Sequence, residues 1–388
     1  MTIPVMRPWL GAEEAAAAAG AISSGWIAQG PRVAEFEAAF ASSLGVSHAV
    51  AVSSCTAALH LMLLAQRIGP GDEVIVPSLS FIATANCVRY VGAEPVFADV
   101  DPVTLNLIPQ TVRPVLTART RAVLAVDQAG VPADLDGLRE LCEPGGIALL
   151  EDAACAAGSF YRGRPAGNGA ALAAFSFHPR KLLTTGEGGM VVTADAEVAA
   201  RLRRLREHGM DVSAAQRHAS AQPVIESYLE VGFNYRMTDV QAAIGLVQLG
   251  KLAELVSRRR ALARRYQELL ADLDGVTTIG DPDYGTTNFQ SFWVLLPSDF
   301  PVRRHELLRL LAQAGISARR GIMAAHLEPA YAGSPCAPLP VTERVSADSL
   351  VLPLFHDLTL ADQDRVVAVI RAAAERSGTR AGALAERT

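Results

Sequence analysis

Three separated groups of residues could do chemistry together. The first centres on Lys181, in the run FSFHPRKLLTTGEGGM at 175–190. Phe175, Ser176 and Phe177 read as a buried strand edge, and Met190 to Val192 as the next apolar strand. A lysine caught between two buried strands is poorly placed to act as mere solvating charge. Gly186, Gly188 and Gly189 mark a backbone that needs positive φ or a close approach to something. The second group is Glu151 and Asp152, closing the apolar strand IALLEDAA, where a buried carboxylate is costly without a partner. The third is Ser53, Ser54, Cys55 and Thr56, between a strand and a helix. Free N–H groups of that helix start, with a hydroxyl, make an anion site suited to phosphate. Each group also has a plain structural reading, as a helix cap or a buried pair.

A buried acid, a buried lysine and a phosphate cradle on one sheet edge suit pyridoxal 5'-phosphate (PLP). The lysine forms a Schiff base with the aldehyde, the acid keeps the pyridine nitrogen protonated, and the cradle holds the phosphate. The lysine must spend part of its time as a neutral amine, which burial and a nearby cationic ring both favour.

The elements that must position these groups follow from hydrophobic periodicity. Helices are expected over Glu13 to Ser24 and Val33 to Leu44, the second with Phe36, Phe40 and Leu44 on one face. Strand and helix then alternate: HAVAVSS, CTAALHLMLLAQRIG, DEVIVPS, FIATANCVRYVG, EPVFADVD, TRAVLAVDQAG, DLDGLRELCEPGG and IALLEDAA. That alternation means a mostly parallel sheet covered on both faces, with ligands outside the carboxyl ends of its strands. A long helix runs from Val240 to about Ala271, and its arginines at 258–260 and 264–265 read as a solvated face. A smaller α/β unit follows: strand FQSFWVLLP, helix RRHELLRLLAQAG and strand ISARRG, with LADQDRVVAVIRAAAER as the closing helix. The expected division is a large cofactor-binding domain over 1–255, a small domain over 256–377 and a frayed tail over 378–388.

Composition bounds the alternatives. The 388 residues allow one large and one small domain, and half of them are apolar. A net charge of −5 gives no electrostatic case for nucleic acid or an anionic membrane. Five scattered cysteines, with no C-x-x-C pair, read as free thiols of a reducing compartment rather than a disulfide or zinc framework, so no metal is expected. The start, MTIPVMRPWL, lacks the layout of a secretory signal, and the expected location is cytoplasmic.

The chain as a whole resembles the DegT/DnrJ/EryC1/StrS family of sugar aminotransferases. The resemblance runs in order through SGWIAQGPRVAEFEAAFASSLG, SSCTAALHL, GDEVIVPSLSFIATANCV, EDAA, FSFHPRKLLTTGEGGM, GFNYRMTDVQAAIGLVQL and LVLPLFHDLT, about residues 3 to 375. It implies a fold type I aminotransferase, with a mostly parallel seven-stranded sheet and a smaller C-terminal α/β domain. By position, Lys181 resembles the Schiff-base lysine and Asp152 the partner of the pyridine nitrogen. Phe81 is similar to the residue stacked on the ring, and Ser54, Cys55, Thr56 and Ser176 to the phosphate ligands. Asn234 is similar to an asparagine that reaches the neighbouring subunit's cofactor, which implies a homodimer with a shared site. Two residues depart from the pattern: Cys55 stands where relatives often have glycine, and Cys155 where many have glutamine or histidine beside the phenolic oxygen.

The resemblance implies transfer of an amino group, with L-glutamate as donor and pyridoxamine phosphate as the halfway form of the cofactor. The acceptor would be a nucleotide-linked keto sugar, in amino-sugar or antibiotic biosynthesis. Trp26, His178, Tyr228, His326 and Tyr331 come from regions that form the family's substrate pockets. Three alternatives stay open: a keto-cyclitol acceptor, a PLP-dependent sugar dehydratase, and a binding protein that kept the fold. Lysine at 181 argues against the dehydratase, whose pattern has histidine there.

Overall fold

Apolar strands and their covering helices assemble around one seven-stranded sheet, in a computed structural model that describes residues 2–213, 217 and 221–376. Helices α1 (Ala12–Ser23) and α2 (Pro31–Leu44) precede β1 (His48–Val52), α3 (Cys55–Ala65), β2 (Glu73–Pro77), α4 (Ala83–Tyr90) and β3 (Glu94–Ala98). The short α5 (Pro109–Val112) leads to β4 (Thr120–Val126), α6 (Leu135–Cys142) and β5 (Ala148–Asp152). A small ribbon, β6 (Phe160–Tyr161) and β7 (Arg164–Pro165), is followed by β8 (Leu172–Ser176), β9 (Gly189–Thr193) and α7 (Ala196–Leu205).

The sheet order is β1-β9-β8-β5-β4-β2-β3. From β8 to β3 every neighbour is parallel, as the alternation predicts. β9 is the exception, antiparallel to both β8 and β1. A parallel return needs a crossover, usually helical, and residues 177–188 contain no helix. The chain therefore turns straight back and lays β9 between β8 and β1.

Helix α8 (Asp239–Leu270) is the spine that joins this sheet to the rest. Thr238 caps it, accepting from Gln241 N at 3.2 Å. The Asp239 carboxylate then turns outward to cap α2, accepting from the N–H groups of Gly30, Val33 and Arg32 at 2.8, 3.0 and 3.0 Å. Glu14 of α1 binds Gln248 at 2.8 Å and Lys251 at 2.7 Å. Among the described residues only α8 is long and apolar enough to cross a membrane; in this fold it lies along α1 and α2.

The last turns of α8 give Ala263, Tyr266 and Leu270 to a second core. That core lies on a four-stranded sheet, β10 (Thr277–Thr278), β12 (Phe292–Leu295), β14 (Ser349–Leu352) and β13 (Arg319–Arg320), antiparallel throughout. β11 (Gly285–Thr286) joins the β6–β7 ribbon instead. The expected strand at ISARRG shrinks to two residues, and β14 supplies a strand that the sequence reading did not assign.

One expectation is corrected. Arg259 does not belong to a solvated face: it is 1% exposed, and its guanidinium donates to the carbonyls of Phe289, Gln290 and Leu354 at 2.7–2.9 Å. Its neighbours Arg258 and Arg260 do keep surface ion pairs, with Glu254 and Asp281. The expected tail at 378–388 lies outside the described residues.

Beneath β8, Phe36 and Phe40 of α2 meet Phe175 and Phe177, with ring centroids 5.0–6.0 Å apart. All four rings are buried. Phe40→Ala should lower stability by about 3–5 kcal/mol, since it removes a ring that the cluster cannot refill. Val103→Ala, at an exposed position, should stay within about 0.5 kcal/mol. Denaturant midpoints of the two variants check this, and similar midpoints would mean that the cluster is not well packed.

Candidate active site

Asp152 is the last residue of β5, and its side chain is 4% exposed. Thr84 of α4 donates to Oδ2 at 2.8 Å and the N–H of Ala154 to Oδ1 at 3.2 Å. Ser80 Oγ lies 2.7 Å from the Thr84 hydroxyl, so a chain of hydroxyls reaches the carboxylate from the β2–α4 loop. Burial raises the Asp152 pKa; the Thr84 bond, Lys181 and the Ala154 N–H oppose that rise.

Lys181 follows β8 and donates from Nζ to Cys155 Sγ at 3.0 Å. Burial works to lower its pKa, as the sequence reading expects, but Cys155, Cys55 and Asp152 outweigh it and the net shift is upward. Without a further cation in the crevice the amine therefore stays protonated at neutral pH. Cys55, the first residue of α3, faces the same crevice: burial pushes its thiol well up, and Asp152 adds to the rise. Lys181, Asp152, Cys155 and Cys55 thus form one cluster at the carboxyl ends of β5, β8 and β1.

The glycine turn explains how the third group joins them. A Cβ on Gly189 would lie 2.6–2.7 Å from the backbone of Ser54 and Cys55, so β9 passes against the start of α3 only because it begins with glycine. Gly186 takes φ +85°. Both anticipated uses of glycine occur in this one turn. Ser54 caps α3, accepting from Ala57 N at 3.1 Å, with Thr56 half-buried one residue into the helix. Ser176 ends β8 at 8% exposure. Phe81, in the loop after β2, is 60% exposed.

The other anticipated residues are more dispersed. His178 accepts from Arg180 N at 3.1 Å and is held below the usual histidine range, chiefly by burial. His326 pairs with Ser78 Oγ at 2.6 Å, tying its segment to the end of β2. Tyr331 is 4% exposed, donates to Asn86 at 2.8 Å and packs edge-on against Phe97. Trp26 lies against Gly30, Tyr228 is exposed beside Met210, and Asn234 is exposed and accepts from Arg236 at 3.1 Å. The contacts named here for Tyr331, Tyr228 and Asn234 are with residues outside the Lys181 cluster.

Sequence reading did not single out Thr84 or the acid behind the cluster, Asp127. Asp127 is 0% exposed and accepts from Ala133 N at 2.8 Å, while Glu151 accepts from Gly167 N at 2.9 Å. Burial, then the neighbouring Glu151, push the Asp127 carboxyl well up, and the Ala133 N–H opposes that rise. The signal was present: an acid at the end of the apolar strand TRAVLAVDQAG.

A seven-stranded sheet with one reversed strand, and a lysine and an acid at its carboxyl edge, describe the architecture of fold type I aminotransferases. Comparison with known proteins gives the family. A family model described as the DegT/DnrJ/EryC1/StrS aminotransferase family matches residues 8–371. DesV of S. venezuelae, solved in complex with a ketimine intermediate, is 38% identical with a TM-score of 0.88, over 97% of this chain and 99% of that one. DesI, solved in the presence of its TDP-sugar product, is 37% identical with a TM-score of 0.87, over 97% and 93%. Spr1654 of Streptococcus pneumoniae, in PMP and PLP forms, is 26% identical with TM-scores of 0.91 and 0.90; the alignments span 96% and 97% of this chain and 99% of that one. The chain belongs to the DegT/DnrJ/EryC1/StrS family and is a PLP-dependent aminotransferase.

The raised pKa of Asp127 has a definite sign. The folded state keeps a proton that an unfolded aspartate, near 3.8, releases. Stability contributed at this position is therefore lost as pH rises above about 4. Asparagine cannot ionise, so Asp127→Asn should gain stability over the parent at pH 8 relative to pH 5. Denaturation midpoints at the two pH values read this directly, and an equal difference at both would overturn the assignment.

Proposed function

We propose that this enzyme moves an amino group from L-glutamate to a nucleotide-linked keto sugar, through a PLP site built on Lys181 and Asp152. The observation that carries the reading is the cluster itself. A buried carboxylate and a lysine amine meet beside the free N-terminus of α3, which is the donor set that PLP requires. The solved relative with a TDP-sugar product supports the acceptor class.

When bound, PLP supplies an aldehyde for the amine and an electron sink for the substrate carbon. In this reading the chain's residues divide the remaining work. Asp152, kept in place by Thr84 and Ala154, would hold a proton on the pyridine nitrogen. Thr56, Ser176 and the backbone N–H groups of Cys55 and Thr56 would hold the phosphate, with Ser54 beside them, and the exposed ring of Phe81 would cover the pyridine face. Lys181 Nζ would hold the aldehyde carbon, the aldehyde oxygen leaving as water, and would later hold and move a proton at the substrate carbon. Cys155 Sγ, which accepts from Nζ, would stand beside the phenolic oxygen as a weak donor.

The same reading extends to the assembly. Asn234 of a second copy would reach the phosphate, making a homodimer the active form. Trp26, His178, Tyr228, His326 and Tyr331 would line the sugar or nucleotide side. The first 255 residues would form the cofactor domain and residues 256–377 the smaller one.

A visible absorbance scan with added PLP, before and after L-glutamate, tests the first half-reaction. The expected result is a band that glutamate bleaches and that Lys181→Ala lacks. A band indifferent to every amino donor would turn the reading toward dehydration, and no band at all would overturn it. Cys155→Gln should shift the pH midpoint of the band by about one unit, the size expected when one hydrogen bond to a titrating group changes. An unchanged midpoint would remove Cys155 from the cofactor's surroundings.

A further inference from the structure

We propose that Gln290 is a positioning residue for Lys181, fixing the lysine's backbone from both sides. Its amide spans the lysine: Nε2 donates to the carbonyl of Arg180 at 2.6 Å, and Oε1 accepts from the N–H of Leu182 at 3.1 Å. The orientation of the amide is set by its partners, since the opposite flip would place donor against donor and acceptor against acceptor. Gln290 is 7% exposed, so water does not compete freely for either bond.

The clamp is itself anchored. The N–H of Gln290 donates to Asn288 Oδ1 at 2.7 Å, and its carbonyl accepts from the buried Arg259 at 2.8 Å. Asn288 is fully buried and donates from Nδ2 to the carbonyls of Cys155 and Ala157, both at 2.8 Å. One tripeptide, Asn288-Phe289-Gln290, therefore holds the backbone of Cys155 and the backbone on each side of Lys181. Those are the two residues whose side chains meet at 3.0 Å.

Residues 177–188 have no helix or strand to fix them, and a lysine adds four flexible carbons beyond its Cα. An amine that must reach one atom and later carry a proton between two others loses rate steeply if its base drifts by about 1 Å. Gln290 removes that drift. It lies just ahead of β12, so it also ties the setting of Lys181 to the second sheet. The inference rests on Lys181 being the cofactor lysine.

The test compares the full-length parent protein with Gln290→Met, which keeps length and loses both bonds, and Gln290→Asn, whose amide is too short to span the lysine. The first readout is amide hydrogen exchange followed by peptide, without cofactor. The peptide containing Lys181 and Leu182 should exchange about tenfold faster in both variants, with those over β8 and β9 unchanged. The second uses PLP-loaded protein: the pH midpoint of the visible band should move, and the glutamate half-reaction should slow by about tenfold or more with little change in donor KM. Parental exchange at Leu182, or a parental midpoint and rate, in either folded variant would overturn the proposal. Faster exchange spread over the whole sheet would overturn it too, by making Gln290 a general structural residue. A parent whose band survives Lys181→Ala would instead refute the reading of Lys181, a result that the exchange readout does not depend on.

Discussion

Two opposite charges, on Asp152 and Lys181, share one crevice with little water to solvate them, and much of the surrounding structure answers that constraint. A buried carboxylate costs several kcal/mol unless hydrogen bonds and a cation compensate it. Thr84, Ala154 and Lys181 supply that compensation. On the other side, Cys155 gives the amine a partner that is polarisable yet only weakly basic. Behind them, burial raises the pKa of both Asp127 and Glu151, and the N–H groups of Ala133 and Gly167 oppose that rise. The carboxyl edge of this sheet thus carries three buried acids, each held by backbone or hydroxyl donors against the cost of burial.

Geometry comes from the reversal of one strand. β8 carries Lys181 outward, the glycine turn brings the chain back, and β9 returns alongside β1. Gly189 lets that return pass against the first residues of α3. The start of α3 and the lysine loop are therefore neighbours through backbone contact, not through long side chains. Asp239 does the corresponding job on the outer layer, where one carboxylate at the start of α8 caps α2 and seats it over the sheet.

Much of this was legible in the sequence. Strands made of continuous apolar residues, each followed by a helix, gave the layered sheet, because burial on both faces leaves no other composition. The strand-ending acid, the lysine and the serine-threonine helix start were visible because polar residues stand out at the ends of apolar runs. What was not legible depends on who covers a residue, and periodicity does not carry that. Arg259 looks like its exposed neighbours in the sequence, and only the carbonyls of Phe289, Gln290 and Leu354 make its burial tolerable. Gln290 lies in the strand read as FQSFWVLLP and Asn288 directly precedes it, and nothing in that pattern says that the one side chain turns back to the loop of Lys181 and the other to Cys155. β14 was missed because a four-residue strand in an antiparallel sheet is defined by its partners, β12 and β13, more than by its residues.

The reversed strand also sets an order of events during synthesis. Among the described residues, those at 48–52 have no neighbour in the sheet except residues 189–193. A chain emerging from the ribosome can pair β2, β3, β4 and β5 early, yet β1 and the helix start it carries must wait for β9. Pairing across so long a loop is slow, because the closure entropy is lost before any contact repays it. The crevice is thus among the last features of the large sheet to form, and a nascent chain stopped short of residue 189 would hold most of the sheet without the crevice that gathers Lys181, Asp152 and the start of α3.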